Sequence, residues 1–208
     1  MATDTDDRIV CYADYVCPFC YLGRTSLERY REEREEPLAV EWHPFDLRAG
    51  KRNADGSIDH DADDGKDEAY YEQAKRNVRR LQEEYDVEMG QELAIEVDSL
   101  PAQLTSFFVA REHPGVWPAF DAAIYEALWV DGRDIGDPDV LVDLAGEVGI
   151  PEAEIRDALE DEELRDRLEE RFDDARRAGV TGVPAFVFEG QVARGAVPPE
   201  HLRRLVDG

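Results

Sequence analysis

Alternation and clustering of apolar residues near the N-terminus predict a strand, a helix and a second strand. Residues 9–15 (IVCYADY) are apolar and β-favouring, and they are long enough for one buried strand. A short amphipathic helix is expected directly after them, and it ends before Pro37. Residues 38–43 (LAVEWH) predict the second strand, which Pro44 ends. Residues 8–43 should therefore form a strand–helix–strand unit with parallel pairing.

The middle of the chain has an almost wholly helical pattern from residue 68 to residue 179. Apolar residues recur there at helical spacing, and the segments are separated by residues that start or end helices. The punctuating residues are starts at Pro101, Pro118, Asp137-Pro138 and Pro151 and ends at His113-Pro114 and Gly132. We expect the aromatic residues of this long helical insertion to form core rather than to line a cofactor pocket.

The C-terminal part returns to a strand pattern. Residues 185–188 (AFVF) and 191–194 (QVAR) flank Glu189-Gly190, which predicts a β-hairpin with a two-residue turn. Residues 198–206 then predict a short closing helix. The predicted order is thus βαβ, a set of helices, and ββα.

Acidic residues dominate the charge of the chain. There are 24 Lys and Arg against 50 Asp and Glu, which gives a formal net charge of -26. This charge argues against nucleic acid and anionic membranes as partners, because their phosphates would be repelled. Acidic residues occur in nearly every segment, while lysine is present only at Lys51, Lys66 and Lys75. The composition resembles that of salt-adapted proteins, and the alternative is an ordinary acidic cytosolic protein.

The N-terminal segment and the cysteine count favour a cytoplasmic protein. Residues 1–8 are acidic and lack the apolar core of a secretory signal, and no apolar run reaches the length of a membrane span. In a reducing compartment, a close cysteine pair is more typical of redox chemistry than of a structural disulfide. Cys11, in the first predicted strand, is expected to be a small buried hydrophobic residue.

The candidate chemistry lies in the sequence Cys17-Pro18-Phe19-Cys20, between the first predicted strand and its helix. Unpaired N–H groups and the helix dipole stabilise a thiolate at a helix N-terminus, so Cys17 is the expected nucleophile. Cys20 lies one turn later and can resolve a mixed disulfide formed by Cys17. Pro18 suits the first helical turn, where its missing N–H costs nothing.

Metal sites are the rival interpretation of these residues. Zinc would need two further soft ligands, yet there is no second CxxC and no HxxxH; the remaining candidates are Cys11, His43, His60, His113 and His201. Residues 50–68 form a polar, Asp-rich loop with aspartates at positions 59, 61 and 63. It fails as a calcium loop, because the turn glycine is displaced to Gly65 and the twelfth position is Tyr70 instead of glutamate. No metal is expected.

Four stretches of the chain together resemble one known family. The stretches are residues 14–23 (DYVCPFCYLG), 41–47 (EWHPFDL), 98–102 (DSLPA) and 178–187 (AGVTGVPAFV). They resemble DsbA-family thioredoxin-fold proteins of the FrnE-like subgroup over nearly the whole chain. The implied fold is α/β and thioredoxin-like (βαβ…ββα), with a large all-helical insertion. Residues 1–60 and 176–208 would form the thioredoxin-like core and residues 61–175 the helical insertion.

The resemblance also implies substrate-binding residues. Val183-Pro184 would be the cis-proline loop that faces the CxxC, with the Val183 backbone pairing an extended substrate. A turn proline before a strand is the alternative for Pro184. Pro18 and Phe19 complete the expected substrate-binding set. Phe19 departs from the family, which has tryptophan in this subgroup and histidine in the periplasmic oxidants. Because phenylalanine cannot donate a hydrogen bond or a charge to the thiolate, strong oxidant character is not implied.

The leading hypothesis is therefore a thiol–disulfide oxidoreductase, whose direction of electron flow the motif leaves open. One alternative is a thiol-cofactor-dependent isomerase or transferase, similar to 2-hydroxychromene-2-carboxylate isomerase or kappa-class glutathione transferase. Those enzymes typically carry serine where Cys17 stands. The other alternative is a chaperone-like binding module. The expected partner is a disulfide- or thiol-containing protein or small molecule, with no bound cofactor, a low-molecular-weight thiol as co-substrate, and a monomer or homodimer as the assembly.

Overall fold

The computed structural model describes residues 8–53, 56–63 and 65–208. Residues 1–7, which carry most of the acidic N-terminal segment, lie outside the described residues. The strands are β1 (Arg8–Ala13), β2 (Ala39–Pro44), β3 (Ala185–Phe188) and β4 (Gln191–Arg194). The helices are α1 (Pro18–Glu32), α2 (Glu68–Tyr85), α3 (Leu100–Glu112), α4 (Trp117–Trp129), α5 (Pro138–Glu147), α6 (Glu152–Glu160), α7 (Glu162–Arg177) and α8 (Pro199–Val206), with a 3₁₀ turn at Ala49–Lys51.

The four strands form one mixed sheet in the order β2-β1-β3-β4. β1 pairs with β2 in parallel and with β3 antiparallel, and β3 and β4 form the predicted hairpin. Its turn has positive φ at Glu189 (47°) and Gly190 (80°). Positive φ at both central residues is typical of two-residue hairpins, because it matches the twist of the flanking strands. The sheet and its flanking helices confirm the thioredoxin-like α/β fold, with α2 to α7 inserted between β2 and β3.

The ends of several elements differ from the prediction. The first strand stops at Ala13 instead of residue 15, because the Asp14 carbonyl accepts a hydrogen bond from the Cys17 N–H (3.1 Å) and closes a turn. Pro44 belongs to β2, where it lies opposite Ala13. Pro151 is the N-cap residue of α6, one position before the first helical residue, and not the first residue of the helix. The predicted cap of α5 is confirmed, since the Asp137 carboxylate accepts from the Asp139 N–H (2.9 Å).

Two of the core regions pack against the sheet. In the smaller one, buried residues of α1 and α8 pack against Ile9, Phe186 and Phe188. The larger one joins the first turn of α1 to the insertion helices and includes Cys17 and Cys20. Aromatic and aliphatic residues of α4 are fully buried in it, as predicted for core positions. Of the helices within the described part of the chain, none combines the length and apolar character of a membrane span.

Cys11 is less enclosed than predicted. Its side chain is half-buried, and from β1 it contacts both core regions. Its thiol nevertheless lies in dense surroundings, and burial raises its pKa to about 12, with the Asp121 carboxylate adding to the rise. Such a thiol stays protonated at neutral pH and is a poor nucleophile.

Candidate dithiol site

The turn that follows β1 places Cys17 at the start of α1. Cys17 is the N-cap residue, with extended backbone angles (φ -93°, ψ 113°), and Pro18 occupies the first helical turn. The Cys17 carbonyl accepts the N–H of Cys20 (2.9 Å), which starts the helix with a tight turn. The sequence folds this way because proline at the first helical position has no N–H to leave unpaired. Cys17 therefore lies at the N-terminal end of α1, and its side chain makes no capping hydrogen bond to the helix.

Both cysteines of the motif carry free thiols and are buried. Cys17 keeps 4 % of its surface exposed and Cys20 2 %. Burial raises the pKa of the Cys20 thiol well above its ordinary value, and the neighbouring Cys17 raises it further. A backbone hydrogen bond from Asp14 acts in the opposite direction. Cys20 is consequently a protonated thiol at neutral pH, next to Cys17, until a reaction changes its surroundings.

The loop before β3 completes the site on the other side of Cys17. The Cys17 thiol donates to the Val183 carbonyl (Sγ to O, 3.5 Å), across 166 positions of sequence. The Val183–Pro184 peptide bond is cis, the isomer that the family resemblance implies. Val183 is half-buried and Pro184 is buried. The fold thus brings the CxxC and the predicted proline loop into direct contact.

Phe19 and Pro18 take different positions. Pro18 is buried within α1. Phe19 is half-buried and packs against the larger core region and against a small cluster formed by α1 and α2, which includes Leu22 and Val78. Phe19 therefore contributes an apolar wall beside the dithiol, and its role in substrate binding stays a prediction.

Gly23 is a feature of this site that the sequence reasoning did not single out. A Cβ atom at Gly23 would lie 3.0 Å from Cγ of Pro184 and 3.2 Å from the ring of Phe186. Phe186 is fully buried and Pro184 is buried, so neither has room to move away. Glycine at this position lets α1 approach the proline loop closely enough for Cys17 to reach Val183.

Asp14 is a second residue that the sequence reasoning missed. It has no exposed surface, and its Oδ2 accepts the N–H of Leu47 (2.8 Å) while Oδ1 accepts that of Val16 (3.3 Å). Burial and then the nearby Asp46 carboxylate raise its pKa from 3.8 to about 6, although a hydrogen bond from the Ser99 side chain opposes the rise. The available signal was an acidic residue at the end of an apolar strand. The prediction instead included Asp14 in the first strand, because Tyr15 after it is β-favouring.

A buried polar network fastens the insertion to the dithiol turn. The Tyr15 hydroxyl lies 2.7 Å from Ser106 Oγ in α3 and 2.9 Å from Asp121 Oδ1 in α4. Arg24 of α1 donates to the same Asp121 carboxylate (3.0 Å). The Trp129 indole donates to the Tyr15 carbonyl (2.8 Å). These bonds hold Tyr15, in the turn just before α1, against α3 and α4.

The other candidate ligands do not assemble into a metal site. Within residues 8–53, 56–63 and 65–208, no three His, Cys, Asp or Glu side chains are grouped to hold a metal ion. In the Asp-rich loop, the carboxylates of Asp59 and Asp63 accept backbone N–H groups two residues ahead of them. His113 pairs with Glu154 (2.7 Å).

Comparison with known proteins gives one family and several relatives. Residues 8–207 match the model of the DSBA-like thioredoxin domain. The chain is 28 % identical over 200 residues to the uncharacterized protein YwbO of Bacillus subtilis, covering 96 % of this chain and 95 % of that protein. A structure described as a probable DsbA oxidoreductase from Streptomyces coelicolor superimposes with a TM-score of 0.76 at 22 % identity, over 96 % of this chain and 88 % of that one. A 2-hydroxychromene-2-carboxylate isomerase gives 0.74 at 16 % identity, over 96 % and 93 %.

Proposed function

Because the chain belongs to the DSBA-like thioredoxin domain family, we propose that it is a thiol–disulfide oxidoreductase that acts through Cys17 and Cys20. One observation carries the proposal. Both thiols are free at the start of α1, and the Cys17 sulfur contacts the carbonyl of Val183 in the proline loop. A helix N-terminus favours the thiolate that this chemistry needs, and the second thiol lies within one turn of the first.

In the first step, the Cys17 thiolate attacks one sulfur of a substrate disulfide. A bond forms between Cys17 and that sulfur, the substrate S–S bond breaks, and the other substrate sulfur leaves as a thiolate that takes a proton from solvent. The start of α1 places the attacking sulfur at the positive end of the helix dipole, which favours a negative charge there.

In the second step, Cys20 loses its proton and attacks the sulfur of Cys17. The mixed disulfide breaks, the Cys17–Cys20 disulfide forms, and the second substrate sulfur leaves as a thiolate that is then protonated. Two electrons have passed from the protein to the substrate. The reverse sequence transfers the disulfide to a dithiol substrate, and the relative reduction potentials decide which direction prevails.

The proline loop is the proposed substrate-binding segment. The Val183 backbone lies beside the Cys17 sulfur, where an extended substrate chain can pair with it without side-chain specificity. Pro184 shapes this segment, while Pro18 and Phe19 form the neighbouring surface of α1. The proposed substrates are disulfide- or thiol-containing proteins or small molecules, and a low-molecular-weight thiol serves as co-substrate.

The test is reduction of insulin by the protein with a small thiol as electron donor. Cys17→Ser should bring the rate down to that of the uncatalysed reaction, because serine cannot form the mixed disulfide. Cys20→Ser should accumulate that mixed disulfide. Cys11→Ala is the control and should retain activity, since its protonated thiol takes no part. Unchanged insulin reduction in Cys17→Ser would refute the assignment.

A thiol-cofactor-dependent isomerase is the second candidate, and the fold match to 2-hydroxychromene-2-carboxylate isomerase favours it. An isomerase returns its thiol cofactor unchanged and needs no resolving cysteine, so the presence of Cys20 argues against it. Isomerisation of 2-hydroxychromene-2-carboxylate with full rate in Cys20→Ser would favour this candidate over the oxidoreductase.

The subgroup and the compartment belong to the same proposal. We assign the chain to the FrnE-like subgroup on the stretches around Cys17 and Pro184. A reducing, cytoplasmic setting is supported by the use of three cysteines, of which one close pair serves redox chemistry. Fractionation of expressing cells, with alkylation of free thiols at lysis, checks this placement: recovery from an extracytoplasmic fraction would contradict it.

A further inference from the structure

We propose that the dithiol site selects disulfides by charge and reacts faster with cationic disulfides than with anionic ones; this inference rests on the function proposed above. Exchange at Cys17 and Cys20 defines the reaction and leaves the class of disulfide open. A disulfide must come within bonding distance of the Cys17 sulfur before it reacts, so charges around that sulfur act on it at short range. The sign of those charges therefore decides which disulfides approach readily.

The two segments that meet at Cys17 carry no charged side chain beyond it. Residues 178–188 (AGVTGVPAFVF) contain no acidic or basic residue, and the Val183 carbonyl oxygen lies 3.5 Å from the Cys17 sulfur. Residues 15–23 (YVCPFCYLG) are likewise uncharged. Carboxylate groups beside a substrate disulfide would thus find no cation on either segment with which to pair.

The next residue of α1, Arg24, is paired with two carboxylates. Its guanidinium binds Asp121 (3.0 Å) and Glu28 (2.8 Å). Asp121 also accepts the hydroxyl of Tyr15 (2.9 Å), two positions before Cys17, so this cluster lies beside the dithiol turn. One guanidinium and two carboxylates leave a formal charge of -1 on the cluster.

Arg52 forms a second cluster of the same composition. It binds the carboxylates of Asp46 (2.6 Å) and Asp98 (2.9 Å), which again leaves a formal charge of -1. The fully buried carboxylate of Asp14 adds to this charge, and it accepts the N–H of Leu47 (2.8 Å), the residue after Asp46. Both clusters thus adjoin the turn that holds Cys17, and both carry an excess of carboxylate.

Arg48 offsets only part of this excess. Its guanidinium is held by the backbone carbonyls of Ala94 and Ile95. Five carboxylates and three guanidinium groups therefore leave a formal charge of -2 around the dithiol turn. The whole chain has the same sign, with a formal net charge of -26. The local and the total charge both attract a cationic disulfide and repel an anionic one, and such fields change association rates by about 10–10³-fold.

The experiment compares three disulfides that share one carbon skeleton: cystamine, bis(2-hydroxyethyl) disulfide and 3,3′-dithiodipropionate. At about pH 8 they carry two positive charges, no charge and two negative charges, respectively. The reduced protein is mixed with excess disulfide and quenched in acid at intervals, and mass spectrometry follows the loss of the dithiol form. Each rate constant is divided by that of dithiothreitol with the same disulfide, which removes the intrinsic reactivity of the probe.

At the lowest KCl concentration at which circular dichroism shows a folded protein, cystamine should react at least about tenfold faster than the dianion after this normalisation. Added KCl should slow the reaction of cystamine and speed that of the dianion, relative to the neutral probe. The two should converge to within about twofold at 1 M, where the Debye length is about 3 Å. The neutral probe reports any effect of salt on the thiols themselves.

A cation placed beside the site should reduce the selectivity. Thr181 is exposed and lies two residues before Val183, which puts it within about 7 Å of that residue. In Thr181→Arg the ratio of dianion to neutral probe should rise about threefold, and the ratio of cystamine to neutral probe should fall by a similar factor. Gln191→Arg is the matched control, because exposed Gln191 pairs with Phe188 at the end of β3 away from Pro184. It should leave both ratios within about 1.5-fold of wild type.

Equal normalised rate constants for the three probes at low salt, or equal shifts in both arginine variants, would overturn selection by charge at the site. Oxidation of the wild-type dithiol by the neutral probe would still uphold the proposed function in that case. Wild type that forms the Cys17–Cys20 disulfide with none of the three probes would instead refute the proposed function, and the selectivity with it.

Discussion

At the residue scale, burial of Asp14 disfavours its ionised form and so lowers the stability of the folded protein at neutral pH. Burial, followed by the Asp46 carboxylate, raises its pKa from 3.8 to about 6. Between these two pH values the folded protein holds a proton that the unfolded chain has released. The stability that Asp14 contributes is therefore fully present below pH 3.8 and is lost as the pH rises through 6. The difference corresponds to about 3 kcal/mol.

Asp14→Asn should remove this pH dependence, because asparagine does not titrate. The free energy of unfolding of wild type, minus that of the variant, should fall by up to about 3 kcal/mol between pH 4 and pH 7. Urea denaturation of both proteins across this range measures the difference, in which the titration of groups that do not interact with Asp14 cancels. A difference that is constant with pH, or that grows, would show that Asp14 is ionised in the folded state at all these pH values.

At the element scale, the approach of α1 to the proline loop depends on Gly23. Gly23→Ala should destabilise the protein by about 1–3 kcal/mol, since the added methyl group meets Pro184 and the buried ring of Phe186. The gain of about 1 kcal/mol that alanine brings to a helix interior offsets part of that cost, so the net loss of stability should be up to about 2 kcal/mol. Displacement of the loop from Cys17 should also slow insulin reduction.

Gly146→Ala is the matched control in α5, where a Cβ atom meets nothing within 4 Å. It should raise the free energy of unfolding by roughly 0.5–1 kcal/mol and leave insulin reduction unchanged. Chemical denaturation and the insulin assay measure both variants. Equal stabilisation by the two substitutions would mean that α1 and the loop have room that the structure does not show.

Elements that depend on neighbouring residues could be predicted from the sequence, and those that depend on distant contacts could not. Local signals predicted the sheet strands, the hairpin at Glu189-Gly190 and the cap at Asp137, because each depends on neighbouring residues alone. The pattern predicts a strand that continues to residue 15, yet residues 14–16 form a turn fixed by contacts with Leu47 and the insertion helices. The packing of Gly23 is likewise set by a loop more than 150 positions away, so no local pattern contains it.

At the scale of the whole molecule, charge is the dominant feature. The formal net charge is -26, and exposed pairs such as Arg156 with Asp139 (2.8 Å) and Glu152 (2.7 Å) offset only part of the repulsion among acidic groups. Single exposed pairs contribute about 0–1 kcal/mol, and salt weakens them. Salt also weakens the repulsion among the excess carboxylates. This repulsion acts over the entire surface, so its loss outweighs the loss of single ion pairs. We propose on this basis that the protein is adapted to high salt.

The melting temperature should therefore rise between low and molar KCl, because screening removes more repulsion than attraction. A scan of thermal unfolding over KCl concentration measures it. Sucrose is the control for general exclusion of solute from the surface, which stabilises proteins regardless of their charge. At matched osmolality KCl should raise the melting temperature more than sucrose does, with most of the rise complete by the concentration at which the Debye length is about 3 Å. A flat or falling curve in KCl would count against salt adaptation and favour an ordinary acidic protein.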